Sequence, residues 1–284
     1  MTPIELYTWR YPQLALAIEE GMSKTEAYGN IVRRGILPEH PAFYGKETGE
    51  EKLLLMDMPT GAIEVLYLPE REMFEYFVRA LAHRCEPAAI PPSMGAVMIS
   101  GLNNWRKIES HKKEYLAQGK TDWQAEFKRF TAKKENYKDT VLLVSKGYYS
   151  AVTPKEAGFT PEEWMEKSRT IRIYHELAHA VSRKRYPDDV QTVRDEVVAD
   201  SIGLLAAFGT YDGTLAKTLL GIREGAYHAG GRLENYVESH ELEGMVRRAE
   251  IWIETLQAFY ENSERKKPLE YLLEDSFLKK LTII

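Results

Sequence analysis

The chain has a single cysteine, Cys85, among its 284 residues, so no intramolecular disulfide can form. No uncharged apolar run approaches the roughly 20 residues that a membrane helix needs. Residues 1–6 contain neither the basic region nor the apolar segment of a secretory signal. The net charge is only −5, so no strong positive field attracts nucleic acid or anionic lipid. We therefore expect a soluble cytoplasmic protein that binds neither nucleic acid nor membrane.

What is present is the composition of a folded protein, with 44% hydrophobic and 29% charged residues. Four short apolar runs have the length of β-strands and all precede residue 150: 53–56, 62–68, Ala96–Ile99 and Val141–Val144. A Pro-Thr-Gly turn separates the first two runs, which predicts a β-hairpin. From residue 160 onward the pattern is helical throughout. We expect an α+β fold, with a small antiparallel or mixed sheet in an N-terminal lobe (1–150) and a helical lobe (151–284).

The segment Tyr174–Ala180 contains the pattern H-E-x-x-H. On a helix, His175 and His179 lie one turn apart on the same face, so both imidazoles can reach one metal ion. Glu176 is rotated by about 100° from His175, which places its carboxylate beside the ion rather than on it. A general base that takes a proton from a metal-activated water belongs at that position.

Local signals predict that this motif is helical. Thr160, Pro161 and Glu163 are suited to the N-cap, N1 and N3 positions of a helix and form the pattern of a capping box. Apolar residues continue at helical spacing to Tyr186, and Pro187 ends the run. We expect a helix of about 24 residues with the motif in its second half.

A catalytic zinc ion needs a third protein ligand and one open position. Glu196 and Asp200 follow the motif as an i, i+4 pair on one helix face. Glu196 can bind the ion, and Asp200 can accept a hydrogen bond from the outer nitrogen of a ligating histidine. Asp195 is the alternative third ligand, but it is shorter and faces about 100° away.

H-E-x-x-H followed by E-x-x-x-D on the next helix resembles the gluzincin metallopeptidases, the thermolysin-like branch of the zincins. The resemblance covers about residues 140–206 and implies a zincin-like fold. It implies that His175, His179 and Glu196 bind zinc, that Glu176 is the catalytic base and that Asp200 supports a ligating histidine. It also implies an edge strand that pairs with an extended substrate, and Val141–Val144 lies at the right place in the sequence.

Such enzymes also take a histidine or tyrosine from the C-terminal half to stabilise the transition state. His228 and Tyr236 are the first candidates here, because the Gly230-Gly231 break allows the chain to approach the cleft. Both assignments depend on the resemblance.

We expect a zinc-dependent hydrolase that acts on a peptide or protein substrate. The alternative is a non-catalytic zincin-like module that senses a metal or peptide and regulates a partner. A third interpretation takes Glu176–His179 as the E-x-x-H motif of a di-iron bundle. That architecture needs a second E-x-x-H, whereas Glu224 and His228 are four residues apart rather than three.

Overall fold

A computed structural model describes residues 1–36, 47–187, 192–274 and 277. The fold is mixed α+β with a small mixed sheet. The chain divides into two compact units, which are described separately. The first comprises Met1–Leu55 and Ile63–Ser145, and the second comprises Met56–Ala62 and Lys146–Ile284.

The described helices of the first unit are α1 (Pro3–Arg10), α2 (Glu26–Tyr28), α3 (Arg71–Leu81), α4 (Trp105–Ala117) and α5 (Trp123–Thr131). Its sheet is formed by β1 (Lys52–Met58), β2 (Gly61–Leu68), β3 (Ala96–Asn103) and β4 (Lys138–Ser145). Short 3₁₀ or π turns lie at Pro12–Ala15, Met22–Lys24, Gly29–Arg33 and Lys134–Asn136. Residues 56–62, at the tip of the β1–β2 hairpin, belong to the second unit.

The strand order is β1-β2-β4-β3, with β2 parallel and β3 antiparallel to β4. The predicted hairpin is confirmed, because β1 and β2 are neighbours joined only by Pro59 and Thr60. The prediction that Val141–Val144 forms an edge strand is wrong, since β4 has a partner on each side. All four of these side chains are at most 1% exposed. Such a continuous apolar run is typical of a strand buried on both faces.

The core of the first unit lies between this sheet and two helices. Phe74 and Phe77 project from α3, and neither has any exposed surface. They belong to one cluster with Ile4 of α1 and with Leu66 and Leu143 of neighbouring strands. Leu66 and Leu143 are paired in the β2–β4 register, so they lie on the same face of the sheet.

The described helices of the second unit are α6 (Pro154–Ala157), α7 (Pro161–Arg185), α8 (Thr192–Phe208), α9 (Gly213–Leu220) and α10 (Leu242–Glu261). Its 3₁₀ turns lie at Tyr149–Ala151, Arg232–Asn235, Ser239–Glu241 and Pro268–Leu273. The prediction of uninterrupted helix after residue 160 is wrong, because β5 (Ile222–Arg223) pairs with β6 (Ala226–Tyr227). Two-residue strands are too short to give a periodic signal. The turn between them uses positive φ angles at Glu224 (50°) and Gly225 (73°).

Helix α7 begins as the sequence predicts. Thr160 accepts a hydrogen bond from the backbone N–H of Glu163 (3.3 Å), and the Glu163 carboxylate accepts one from the N–H of Thr160 (3.1 Å). This capping box satisfies two of the free N–H groups at the helix start. The helix then continues for 25 residues and carries the H-E-x-x-H motif in its second half.

Helices α7 and α8 pack closely, and glycine makes this possible. A Cβ atom built on Gly203 of α8 would lie 2.8 Å from the backbone oxygen of Ile171 in α7. Ile171 lies one turn before the motif, so this close contact of the two helices lies next to it. Among the helices that the structure describes, none combines the length and the hydropathy needed to cross a lipid bilayer.

Candidate metal centre

The structure brings the three predicted ligands together. His175 and His179 project from the same face of α7, and their Nε2 atoms are 3.1 Å apart. Glu196 reaches them from α8, with one carboxylate oxygen 3.3 Å from His175 Nε2 and the other 3.2 Å from His179 Nε2. Within the part of the chain that the structure describes, this is the one group of three or more such side chains that could hold a metal ion.

The spacing of these donor atoms fits a small tetrahedral ion. Ligand distances of about 2.0–2.1 Å in a tetrahedron place neighbouring donor atoms about 3.3–3.4 Å apart. The observed separations of 3.1, 3.2 and 3.3 Å are close to that value. The His175 side chain is 8% exposed, whereas His179 and Glu196 retain 14% and 13%. The group is therefore largely buried and still has an accessible side.

Glu176 lies next to this group without being part of it. Its side chain is partly exposed, and it has no hydrogen bond or ion pair with any residue that the structure describes. A carboxylate that is not held by another side chain keeps its lone pairs for a proton. The Glu176 carboxylate is therefore not engaged by any side chain that the structure describes.

Asp200 lies behind His175, on the side away from the other ligands. Its Oδ1 atom is 2.9 Å from His175 Nδ1, and it is almost completely buried. Two further side chains complete this contact: the Tyr149 hydroxyl lies 2.8 Å from the same ring nitrogen, and Arg232 forms an ion pair with Asp200. The predicted support of a ligating histidine by Asp200 is therefore present as a contact in the structure.

The carboxylates around the group favour a positive charge at His175. Burial disfavours the charged form of His175, but hydrogen bonds to Asp200 and Glu196 outweigh it and raise the pKa of His175 to about 9. Burial also opposes ionisation of Glu196, yet its bonds to His175 and His179 hold the pKa of its carboxyl below the ordinary value. For Asp200 the charge of Arg232 likewise overcomes burial and lowers the pKa.

The two candidates for transition-state stabilisation have different environments. Tyr236 reaches the centre, but its hydroxyl donates to the Glu196 carboxylate at 2.8 Å. Burial and the nearby carboxylates raise its pKa despite the opposing charge of Arg232, so it remains a donor at neutral pH. His228 is exposed, and its backbone N–H donates to the carbonyl of Gly221 at 2.8 Å. The structure does not bring the His228 side chain to the ligands.

The alternative third ligand, Asp195, is also outside the group: it accepts from the guanidinium of Arg194 at 3.3 Å. Sequence reasoning missed Tyr149 and Arg232. A signal for Arg232 existed in principle, since a buried carboxylate such as Asp200 needs a partner of opposite charge. Tyr149 lies in the short turn after β4, and nothing in the neighbouring sequence distinguishes it from an ordinary turn residue.

Residues 3–269 match DUF7005, a family of unknown function, and the chain belongs to this family. The match includes residues of both compact units, so α7 and α8 lie within the region that the family model covers. No curated protein and no solved structure matches the chain.

Proposed function

We propose that this protein is a zinc-dependent hydrolase of peptide bonds whose α7–α8 pair acts as a zincin-like metal centre. The observation that carries the proposal is the convergence of His175, His179 and Glu196 at the spacing of a tetrahedral ion. The partly exposed and unengaged carboxylate of Glu176 beside them supports catalysis rather than a purely structural site. A closed structural zinc site would have no use for a neighbouring base.

The ligand set favours zinc over iron. Two imidazoles and one carboxylate with an accessible side match a catalytic zinc site. A di-iron bundle would need a second E-x-x-H pair, and the described residues supply no further group of ligands near His175 and His179. Copper binds such donors more tightly in general, so metal supply also influences the occupant.

Each side chain has a separate task in the proposed reaction. When bound, zinc polarises the substrate carbonyl and lowers the pKa of a coordinated water. Glu176 accepts the proton released on attack and passes it to the leaving amine. Asp200 keeps the ring of His175 oriented, and Tyr236 holds Glu196 through its hydroxyl.

The metal assignment is tested by the zinc content of the purified protein. We expect about one zinc ion per chain, and His175→Ala or His179→Ala should abolish stoichiometric binding because two ligands cannot retain the ion. Full zinc content in the double variant would contradict the site.

Catalysis is tested separately with Glu176→Gln, which keeps the side-chain shape and removes the proton acceptor. Zinc content should stay near that of the wild type, while cleavage of unstructured fluorogenic peptides should fall by ~10²-fold or more. Glu162→Gln is the matched control, because Glu162 is an exposed residue in the first turn of the same helix. Undiminished turnover in Glu176→Gln would rule out this mechanism. A zinc-loaded wild type that cleaves no peptide would instead favour the regulatory module.

A further inference from the structure

The imidazole of His175 is fixed from behind by a buried hydrogen-bond network. Tyr149 donates from its hydroxyl to Asp200 Oδ1 at 2.7 Å, and Arg232 Nη1 donates to the Tyr149 oxygen at 2.7 Å. The other nitrogen, Arg232 Nη2, forms an ion pair with Asp200 Oδ2. Asp200 Oδ1 and the Tyr149 hydroxyl both lie within 3 Å of His175 Nδ1, at 2.9 and 2.8 Å.

Arg232, which can only donate, and the Asp200 carboxylate, which can only accept, together determine the hydrogen-bond directions in this network. A guanidinium can only donate, so the Tyr149 oxygen accepts from Arg232 and its own O–H must go to another acceptor. That acceptor is Asp200, which as a carboxylate can only accept. Asp200 Oδ1 also lies 2.9 Å from His175 Nδ1, so this ring nitrogen must carry a hydrogen and cannot accept from Tyr149. In the neutral ring, which is the form that binds a metal, the Nε2 lone pair is consequently directed toward His179 and Glu196.

We propose that Arg232 and Tyr149 are positioning residues, which hold Asp200 and thereby fix His175 in the tautomer and orientation that binds the metal. This inference rests on the proposed function for the metal, but it does not require peptide cleavage. The hydrogen bonds and ion pair that the structure gives these two side chains reach Asp200 and His175, and none of them reaches His179 or Glu196. Support of this kind commonly sets metal affinity.

The backbone that carries Arg232 is placed by a close glycine contact. A Cβ atom on Gly231 would lie 2.6 Å from the Cα of Gly221 and 3.0 Å from the carbonyl oxygen of Leu220. Only glycine allows these two backbone segments to touch. The Tyr227 hydroxyl also donates to the Gly231 carbonyl at 2.7 Å. These contacts fix the backbone position of the residue that precedes Arg232, next to the β5–β6 hairpin.

The backbone around Tyr149 is held by hydrogen bonds to helix α7. Its backbone N–H donates to the hydroxyl of Ser168 in α7 at 2.9 Å. Arg172 of the same helix donates to the carbonyls of Gly147 and Tyr148 at 3.2 and 3.3 Å. The next residue, Ser150, adopts the left-handed conformation (φ 53°, ψ 24°) that non-glycine residues avoid. Such strain persists where the surrounding structure requires it, commonly at functional sites.

The proposal is tested by a double-mutant cycle on zinc affinity, measured by competition with a chromophoric chelator. Arg232→Met and Asp200→Asn should each weaken zinc binding by roughly 10–100-fold. If Arg232 acts through Asp200, the zinc affinity of the double variant should equal that of whichever single variant binds zinc more weakly. Losses that multiply in the double variant would overturn the proposal, since they would show independent effects.

Two further variants guard against loss of folding, because Arg232→Met leaves a buried carboxylate without its partner. Tyr149→Phe removes one hydroxyl and keeps the ring, and it should weaken zinc binding by about 3–10-fold. Arg223→Met is the control. Arg223 lies in the same chain segment as Arg232, but its ion pair is with Glu156 and not with Asp200. It should leave zinc affinity unchanged, whereas a loss equal to that of Tyr149→Phe would refute a specific role.

Failure of the inference is distinguishable from failure of the proposed function. A wild type without His175-dependent zinc would contradict the metal centre itself. If the wild type binds zinc, a folded Tyr149→Phe variant of equal affinity would contradict only the positioning role of Tyr149, and a folded Arg232→Met variant of equal affinity would contradict that of Arg232.

Discussion

Replacing Gly203 by alanine should separate the two helices that carry the proposed metal ligands. The added Cβ would lie 2.8 Å from the backbone oxygen and 2.9 Å from Cγ2 of Ile171. A backbone oxygen cannot move away by a change of rotamer, so α7 and α8 must move apart by a few tenths of an ångström. Overpacking of this kind costs about 1–3 kcal/mol.

The same substitution also improves helix propensity, and a control isolates this effect. Alanine is favoured over glycine inside a helix by about 1 kcal/mol. Gly244 in the first turn of α10 has no heavy atom within 4 Å of a built Cβ, so Gly244→Ala should keep only this gain. We expect Gly203→Ala to be less stable than Gly244→Ala by about 1–3 kcal/mol in urea unfolding of the zinc-free protein.

Zinc affinity should respond as well, because Asp200 and Glu196 lie one and two turns before Gly203 on α8. A displacement of a few tenths of an ångström exceeds the tolerance of about 0.2 Å in metal–ligand distances. We expect a loss of roughly tenfold in Gly203→Ala and no change in Gly244→Ala. Equal stability gains in the two variants, with zinc affinity retained in both, would refute the close packing of α7 on α8.

Two further predictions concern the segment before α7. Ala151 is exposed with φ at 56°, so Ala151→Gly should relieve strain of about 1–2 kcal/mol and be neutral or stabilising in urea unfolding. Ala125→Gly, at an exposed position of α5, should instead lower the free energy of unfolding by about 1 kcal/mol. An equal loss of stability in Ala151→Gly would contradict backbone strain at Ala151. The backbone N–H of Thr153 and the guanidinium of Arg223 lower the pKa of Glu156 from 4.5 to about 2. The ionised carboxylate therefore stabilises the fold above pH 4.5, and this contribution is lost as the pH falls toward 2. Glu156→Gln should be less stable than the wild type at pH 7, and the difference in stability should disappear between pH 4.5 and 2. A margin independent of pH in urea titrations would contradict the assignment.

The sequence by itself determined the features that depend on residues a few positions apart. The capping box of Thr160 and Glu163 sets the start of α7 through contacts three residues apart. The spacing of His175 and His179 places both rings on one helix face. The Pro59–Thr60 turn similarly defines the hairpin of β1 and β2. Each of these signals lies within one turn or one hairpin, so no knowledge of the rest of the chain is needed.

The position of β4 shows an intermediate case. The run Val141–Val144 predicted a strand, but its place in the sheet depends on pairing with β2, more than 70 residues earlier. The resemblance led to the prediction of an edge strand, which is wrong, whereas the continuous apolar character of this run is typical of a central strand. The β5–β6 pair gave no signal in the sequence, because strands of two residues are too short to show a periodic pattern.

Only the tertiary structure decided which side chains surround His175, His179 and Glu196. The hydrogen bond from Arg232 to Tyr149 joins residues 83 positions apart, and that from Tyr149 to Asp200 spans 51. No local rule relates such positions, since their meeting depends on how α7, α8 and the Gly231 turn pack. The requirement that a buried carboxylate be paired was readable from the sequence in general terms. Which arginine and which tyrosine satisfy it follows only from the fold, because packing brings them within hydrogen-bond distance of Asp200.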